Sequence, residues 1–182
     1  MHKIIRVANE SDAAVMLAIY SPIVAETATS FECDPPSLGE FQNRICETVK
    51  RTPWLVCEND RRIMGYAYAS EHRSRKAYQW SVDVSVYVAP DAQRAGVARK
   101  LYQSLFETIR EQGYFNAFAG IALPNVPSVS LHESFGFTPI GVYRSVGFKL
   151  AAWHDVGWWQ LKLRDYGPTP NPPTPFSSLK RK

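Results

Sequence analysis

The chain reads as an α+β protein of mixed α/β character, with a central mixed, mostly antiparallel sheet of about seven strands flanked by about four helices. Three observations predict this. Short runs of β-branched and aromatic residues are interspersed with stretches of helical apolar spacing. Glycine, proline, asparagine and aspartate punctuate the junctions. The 182 residues, 45% hydrophobic and 13% aromatic, suffice for one packed core.

Taken in order, KIIRV (3–7) is a short strand, and NESDAAVMLAIY (9–20) places capping residues before an apolar helical stretch. In PPSLGEFQNRICETVK, Ser37 and Glu40 form a capping box, and Phe41, Ile45 and Val49 share one helical face. WLVCEND (54–60), RIMGYAYAS (62–70) and WSVDVSVYV (80–88) form an antiparallel meander whose first turn is Asn59-Asp60. Val97, Leu101, Leu105 and Ile109 repeat every four residues until Gly113, which suits a left-handed helix end. FNAFAGIAL (115–123) is a strand, Pro127 opens a short helix that Gly136 closes, and GFTPIGVYRSVGFK and HDVGWWQLKL supply two last strands.

The formal charge is +4, but Lys180, Arg181 and Lys182 carry three of those charges in an acid-free ending, which leaves +1 for the rest. That is too little to predict a polyanion partner. Residues 167–182 hold five of the thirteen prolines and no apolar periodicity, so the domain is expected to span 1–166 and the remainder to be an extended, disordered basic tail. Cys33, Cys46 and Cys57 cannot all pair, and no basic-then-apolar signal precedes them, so a reducing cytoplasm fits. No run is apolar enough to span a membrane. His2, His72, His132 and His154 lack metal-ligand spacing, so no metal is expected. Cys57, in an apolar run, reads as core.

The stretch VYVAPDAQRAGVARKLY (86–102) runs from a strand through a polar turn into a helix whose first amides have no intrahelical partner. Such a helix start favours an anion, and phosphate above all. Gly96 lets a ligand approach the backbone and Arg94 adds a charged donor. Neither a dinucleotide G-x-G-x-x-G nor a nucleotide P-loop is present.

The turn resembles the Q/R-x-x-G-x-G/A pyrophosphate loop of the GNAT superfamily of N-acetyltransferases, with Ala98 as its second small residue. ETATSFECDPP (26–36), TPWLVCEND (52–60), RSRKAYQW (73–80), ALPNVPSVSLHESFGF (122–137) and VGFKLAAWHDVGWWQL (146–161) resemble, in order, the phosphinothricin acetyltransferases and their amino-acid-analogue relatives. The resemblance covers 3–163 and implies acetyl-CoA as donor. It also implies that the strand backbone at Val86, Tyr87 and Val88 holds pantetheine. Gln93, Arg94, Ala95, Gly96, Val97, Ala98 and Arg99 would cradle the diphosphate, with Asn125 and Ser128 beside the cofactor.

Acetyl transfer to an amine requires that the nitrogen first lose a proton to a base. Asp83 lies on the Ser81-Asp83-Ser85-Tyr87 face of its strand, at the family's proposed base position, normally a glutamate. Its shorter side chain points to relay through one water. His132, in the same L-H-E context as a proposed catalytic histidine, shares a helical face with Asn125 and Ser128. Leu131 and Phe135 mark the core side. Arg73 and Arg75 match basic residues associated with the acidic end of an amino-acid analogue, a role suited to arginine's planar fork. Tyr78 and Phe31 fall where the family builds the acceptor pocket. Trp153, His154 and Asp155 match a hallmark near the last hairpin, serving either the pocket or a dimer contact.

The expectation is therefore a homodimeric acyltransferase using acetyl-CoA on a small amino acid or analogue. Three readings stand beside it: acetylation of a protein N-terminus or polyamine, a noncatalytic acetyl-CoA-binding regulator, and an RNA-binding module using RSRK and LKRK. The last lacks the aromatic interleaving of such modules, so no nucleic-acid partner is expected.

Overall fold

The computed structural model describes residues 3–179; Met1, His2 and the three terminal charges Lys180, Arg181 and Lys182 lie outside the described residues. The elements follow the expected order: β1 (Ile4–Val7), α1 (Ala13–Glu26), α2 (Leu38–Arg51), β2 (Trp54–Asn59), β3 (Arg62–Glu71), β4 (Ser81–Val88), α3 (Val97–Gln112), β5 (Asn116–Leu123), α4 (Val126–Glu133), β6 (Thr138–Lys149) and β7 (Ala152–Lys162). The strands form one sheet in the order β1-β2-β3-β4-β5-β7-β6. Every neighbouring pair is antiparallel except β4–β5, whose long crossover contains α3.

Local chemistry fixes the ends. Ser37 caps α2 by accepting from the Glu40 amide, while the Glu40 carboxylate takes the Ser37 amide at 2.8 Å. Gly113 closes α3 in the left-handed region at φ 99°. The β2–β3 turn is one residue later than the sequence predicts. Asp60 and Arg61, both at positive φ, make a two-residue connection whose twist matches the strands.

The two sheet faces are assigned by single contacts. A Cβ placed on Gly65 would meet Val97 of α3, so Gly65 and its partner Val88 face α3, together with Val82, Val84 and Val86. Tyr87, on the opposite face, packs its ring 5.0 Å from Tyr20 of α1. Asp83 and Ser85 share that second face by strand alternation. Val82, Leu101, Leu105 and Ile109 are fully buried, so the stripe that predicts α3 is the stripe that packs beneath the sheet.

β4 and β5 pair only at Ser81↔Asn116, Val82↔Ala117 and Asp83↔Phe118. Beyond Asp83 both strands continue without pairing to each other, β4 to Val88 and β5 to Leu123, so a wedge opens between them.

The ending does not behave as expected for a disordered tail. Within residues 167–179, Phe176 is buried at 4% exposure. Gln112 of α3 donates to the Thr174 carbonyl at 2.8 Å and accepts, through its own carbonyl, the Thr174 amide at 2.7 Å. Trp80 Nε1 donates to the Asn171 carbonyl at 2.9 Å. A proline-rich strand has no ladder to offer, but its carbonyls and one phenyl ring are enough to anchor it across α2 and α3.

Candidate functional site

The wedge exposes backbone. The Ala89 amide donates to Met64 of β3, whereas the Trp80 carbonyl accepts from Phe115 on the β5 side. Alternation between these two points turns the amides and carbonyls of Val84, Val86 and Val88 toward β5, which no longer pairs with them. An extended ligand with amides of its own fits that edge. The backbone of Tyr87, which the resemblance implies at the same edge, pairs instead with Tyr66 of β3.

At the mouth of the wedge the chain turns sharply through Gln93–Gly96 into α3. Arg94 at φ 59° and Gly96 at φ 76° both adopt the left-handed conformation, which explains the glycine. No acceptor among the described residues takes the amides of Arg94, Ala95, Gly96, Val97, Ala98 or Arg99. Among the described residues nothing lies within 4 Å of a Cβ placed on Gly96, so its bare face looks into open space. Arg99 is drawn toward α4, donating to Ser134 at 3.2 Å and covering the Phe135 ring. The amides, the dipole of α3 and the open backbone edge together fit a diphosphate joined to a narrow amide-bearing arm.

Asp83 stands at the last β4–β5 rung, at the apex of the wedge. Its Oδ1 lies 2.6 Å from Nδ1 of His72, which follows the end of β3. The His72 ring is stacked on Phe118 at 4.3 Å and 17°, and meets Tyr78 and Trp158 edge-on. Burial pushes the Asp83 carboxyl above the ordinary aspartate value, against the opposing pull of His72 and Arg73. Nε2 of His72 has no hydrogen-bond partner among the described residues.

His72 borders a cavity of about 170 Å³ whose walls include Arg73, Phe118, Tyr143 and Trp158. The Arg73 guanidinium sits 5.6 Å from the Trp158 ring centroid, and Nη1 donates to the His72 carbonyl at 2.7 Å. Trp158 Nε1 is a buried donor without a partner among the described residues. An arginine guanidinium in the wall suits an acceptor with anionic or strongly dipolar oxygens.

The other substrate residues divide. Tyr78 reaches the site through its edge contact with His72. Arg75 lies on the exposed turn and is not in the wall. Phe31 packs over Gly147 of β6, where an added Cβ would run into its ring. The buried Lys149 ammonium ties the Phe31 loop to the hairpin through the carbonyls of Val24 and Ser30. Asp155 holds the β6 bulge, accepting from Arg144 at 2.6 Å and from the Ser145 amide at 2.7 Å. His154 is 2.9 Å from the Lys149 carbonyl, and Trp153 lies exposed against Phe148.

The expectation that His132 is a catalytic histidine assisting proton transfer is corrected. The imidazole is 4% exposed and lies in the packing between α3 and α4, so it faces the core that the sequence reserves for Leu131 and Phe135. Nδ1 sits 2.7 Å from the Ser128 carbonyl, which only accepts, so Nδ1 carries the proton and Nε2 accepts from the Tyr102 hydroxyl at 2.9 Å. Tyr102 belongs to α3, on the face opposite Asp83. Both nitrogens are engaged, and burial lowers the ring's pKa. Asn125 caps α4, accepting from the Ser128 amide at 3.2 Å, which leaves its own amide nitrogen free.

Sequence reasoning overlooked His72 as a site residue. Its pairing with Asp83 depends on the β3–β4 register, in which Ser70 lies opposite Asp83, and the linear sequence offers no signal for that register.

An acetyltransferase (GNAT) domain model matches residues 5–158. A phosphinothricin N-acetyltransferase of Streptomyces viridochromogenes is 38% identical over 171 residues, 94% of this chain and 91% of that protein. An L-methionine sulfoximine/L-methionine sulfone acetyltransferase of Salmonella typhimurium is 32% identical over 173 residues, 89% of this chain and 95% of that protein. The crystal structure of a GNAT superfamily phosphinothricin acetyltransferase from Sinorhizobium meliloti, in complex with AcCoA, superposes with a TM-score of 0.88 at 28% identity, covering 97% of this chain and 99% of that one.

Proposed function

Because the chain belongs to the GNAT acetyltransferase family, we propose that it moves the acetyl group of acetyl-CoA to the α-amino group of a small amino acid or analogue of the phosphinothricin, methionine sulfoximine or methionine sulfone class. One observation carries this reading: the wedge, with its free amides at one end, closes at Asp83 beside a small cavity walled by Arg73 and Trp158. The thioester enters along β4, the acceptor occupies the cavity, and the amine attacks the acetyl carbonyl directly. Arg73 disfavours a polyamine by like-charge repulsion and favours an acceptor with an anionic end. On phosphinothricin the same reaction would confer herbicide resistance.

The residues of the wedge and the cavity divide the work. Val86 and Val88 pair with the pantetheine arm, the amides from Arg94 to Arg99 hold the diphosphate, and Asn125 donates to a pantetheine carbonyl. Asp83, with its hydrogen-bonded neighbour, serves proton removal. His132 holds α4, and therefore Asn125, in place.

The test is release of CoA against a panel of acceptors. Turnover is expected with phosphinothricin, methionine sulfoximine and methionine sulfone, with a polyamine and an N-terminal peptide slower by about 100-fold. No release with the three analogues, or a polyamine as the best acceptor, ends this reading.

We place the enzyme in the cytoplasm as a homodimer. Its three cysteines are unpaired, and among the described residues no helix is long and apolar enough to cross a membrane. Edge strand β6 and the hairpin after it expose Ile140, Tyr143, Val146, Phe148 and Trp153, a row that a second copy would cover. Sedimentation should give twice the monomer mass. A monomer at high concentration overturns the dimer.

A further inference from the structure

We infer that His72 is the group that takes the acceptor's proton, and that Asp83 is a positioning residue that orients its imidazole. This deepens the proposed reaction and rests on it. Asp83 Oδ1 lies 2.6 Å from His72 Nδ1. A carboxylate only accepts, so Nδ1 carries the hydrogen and Nε2 is left with a free lone pair. That atom lies on the far side of the ring from Asp83 and has no partner among the described residues.

The ring is held as a positioned base must be. Phe118 stacks on one face, while Trp158 and Tyr78 meet it edge-on. Phe118 is also the last β5 residue paired with β4, so the imidazole rests at the point where the strands part and the thioester would end. His72 lines the acceptor cavity, whereas Asp83 is absent from its wall. Asp83 is one methylene shorter than a glutamate, and the imidazole carries the accepting atom farther from the strand than the carboxylate reaches. The charged and titratable neighbours are Asp83 on β4, Arg73 next in the chain, Tyr78 from the turn before β4 and, across the cavity, Tyr143 of β6. The ring contacts from β5 and β7 are the uncharged Phe118 and Trp158.

In the step this implies, the acceptor ammonium gives one proton to Nε2 of His72, and Asp83 stabilises the imidazolium. The nitrogen lone pair forms the C–N bond to the acetyl carbonyl carbon. The C–S bond then breaks, and the second proton leaving nitrogen goes to the departing thiolate. Imidazolium returns its proton to solvent.

The test compares full-length wild type, His72→Ala, His72→Asn and Asp83→Asn in CoA-release kinetics across pH, with and without added imidazole. His72→Ala should lower kcat by about 10²–10⁴-fold, lose the rising acid limb of the pH profile and regain at least about tenfold of kcat with imidazole. His72→Asn keeps an N–H for Asp83 but has no second nitrogen to accept a proton, so its kcat should fall as far. Asp83→Asn should also lose rate, without rescue by imidazole. A His72→Ala kcat within about threefold of wild type, or an intact acid limb in His72→Asn, overturns the assignment and leaves Asp83 acting through water. A wild type that releases no CoA with any acceptor overturns the proposed function itself, and this assignment with it.

Discussion

The Tyr102 hydroxyl donates to Nε2 of His132 at 2.9 Å, and this buried bond joins α3 to α4. Burial holds the imidazole pKa below its ordinary value of 6.5, so the folded state binds fewer protons there than the unfolded chain does. The stability this group contributes is complete above 6.5 and is lost as pH falls through the folded value. His132→Gln should therefore flatten the fall in melting temperature between about pH 7 and 5 relative to wild type. It should also cost roughly 1–3 kcal/mol at neutral pH, because Tyr102 loses its fitted acceptor. Identical slopes in thermal melts of the two proteins would refute the assignment.

Gly96 offers a way to separate ligand contact from packing. Its φ of 76° disfavours a side chain, yet among the described residues nothing lies within 4 Å of the added Cβ. Gly96→Ala should cost only about 1 kcal/mol of stability, while titration calorimetry should show acetyl-CoA affinity reduced by about tenfold or more, since the Cβ stands between phosphate and amides. Unchanged affinity would mean that the diphosphate sits elsewhere.

The two arginines should behave differently. Arg73 lines the cavity beside Trp158, whereas Arg75 lies on the exposed turn away from it. Arg73→Gln should raise KM for an anionic acceptor by about tenfold through loss of a charge-assisted pair, with acetyl-CoA affinity retained. Arg75→Gln should change KM by less than about threefold. Equal effects in steady-state kinetics would show that both side chains reach the acceptor.

The ending of the chain should contribute to stability. Phe176 is 4% exposed, and Gln112 exchanges two hydrogen bonds with Thr174. Phe176→Ala should lower stability by about 3–5 kcal/mol, a fall of roughly 6–20 °C in melting temperature. A melt within 1–2 °C of wild type, by roughly the same scale, would mean that the segment is not held in solution.

The sequence by itself determined what depends on neighbours along the chain. The Ser37–Glu40 capping box, the left-handed Gly113, the fourfold stripe of α3 and the alternating valines of β4 are short-range patterns, each fixed by backbone geometry within a few residues. The turn into α3 was legible for the same reason: its free amides follow from where the helix begins. Only the tertiary structure decided the encounters of distant segments. His72 meets Asp83 because β3 and β4 pair in one register, and a slip of one residue would send Asp83 to the other face. His132 points into the core because α4 packs against Tyr102, a choice its own polar stripe did not reveal. The proline-rich ending lies against α2 and α3 because Gln112 and Trp80 offer donors to its carbonyls; it carries no apolar periodicity by which a sequence would announce docking. Spacing along the chain sets secondary structure, whereas register and packing, which depend on surfaces far apart in sequence, set which side chains meet.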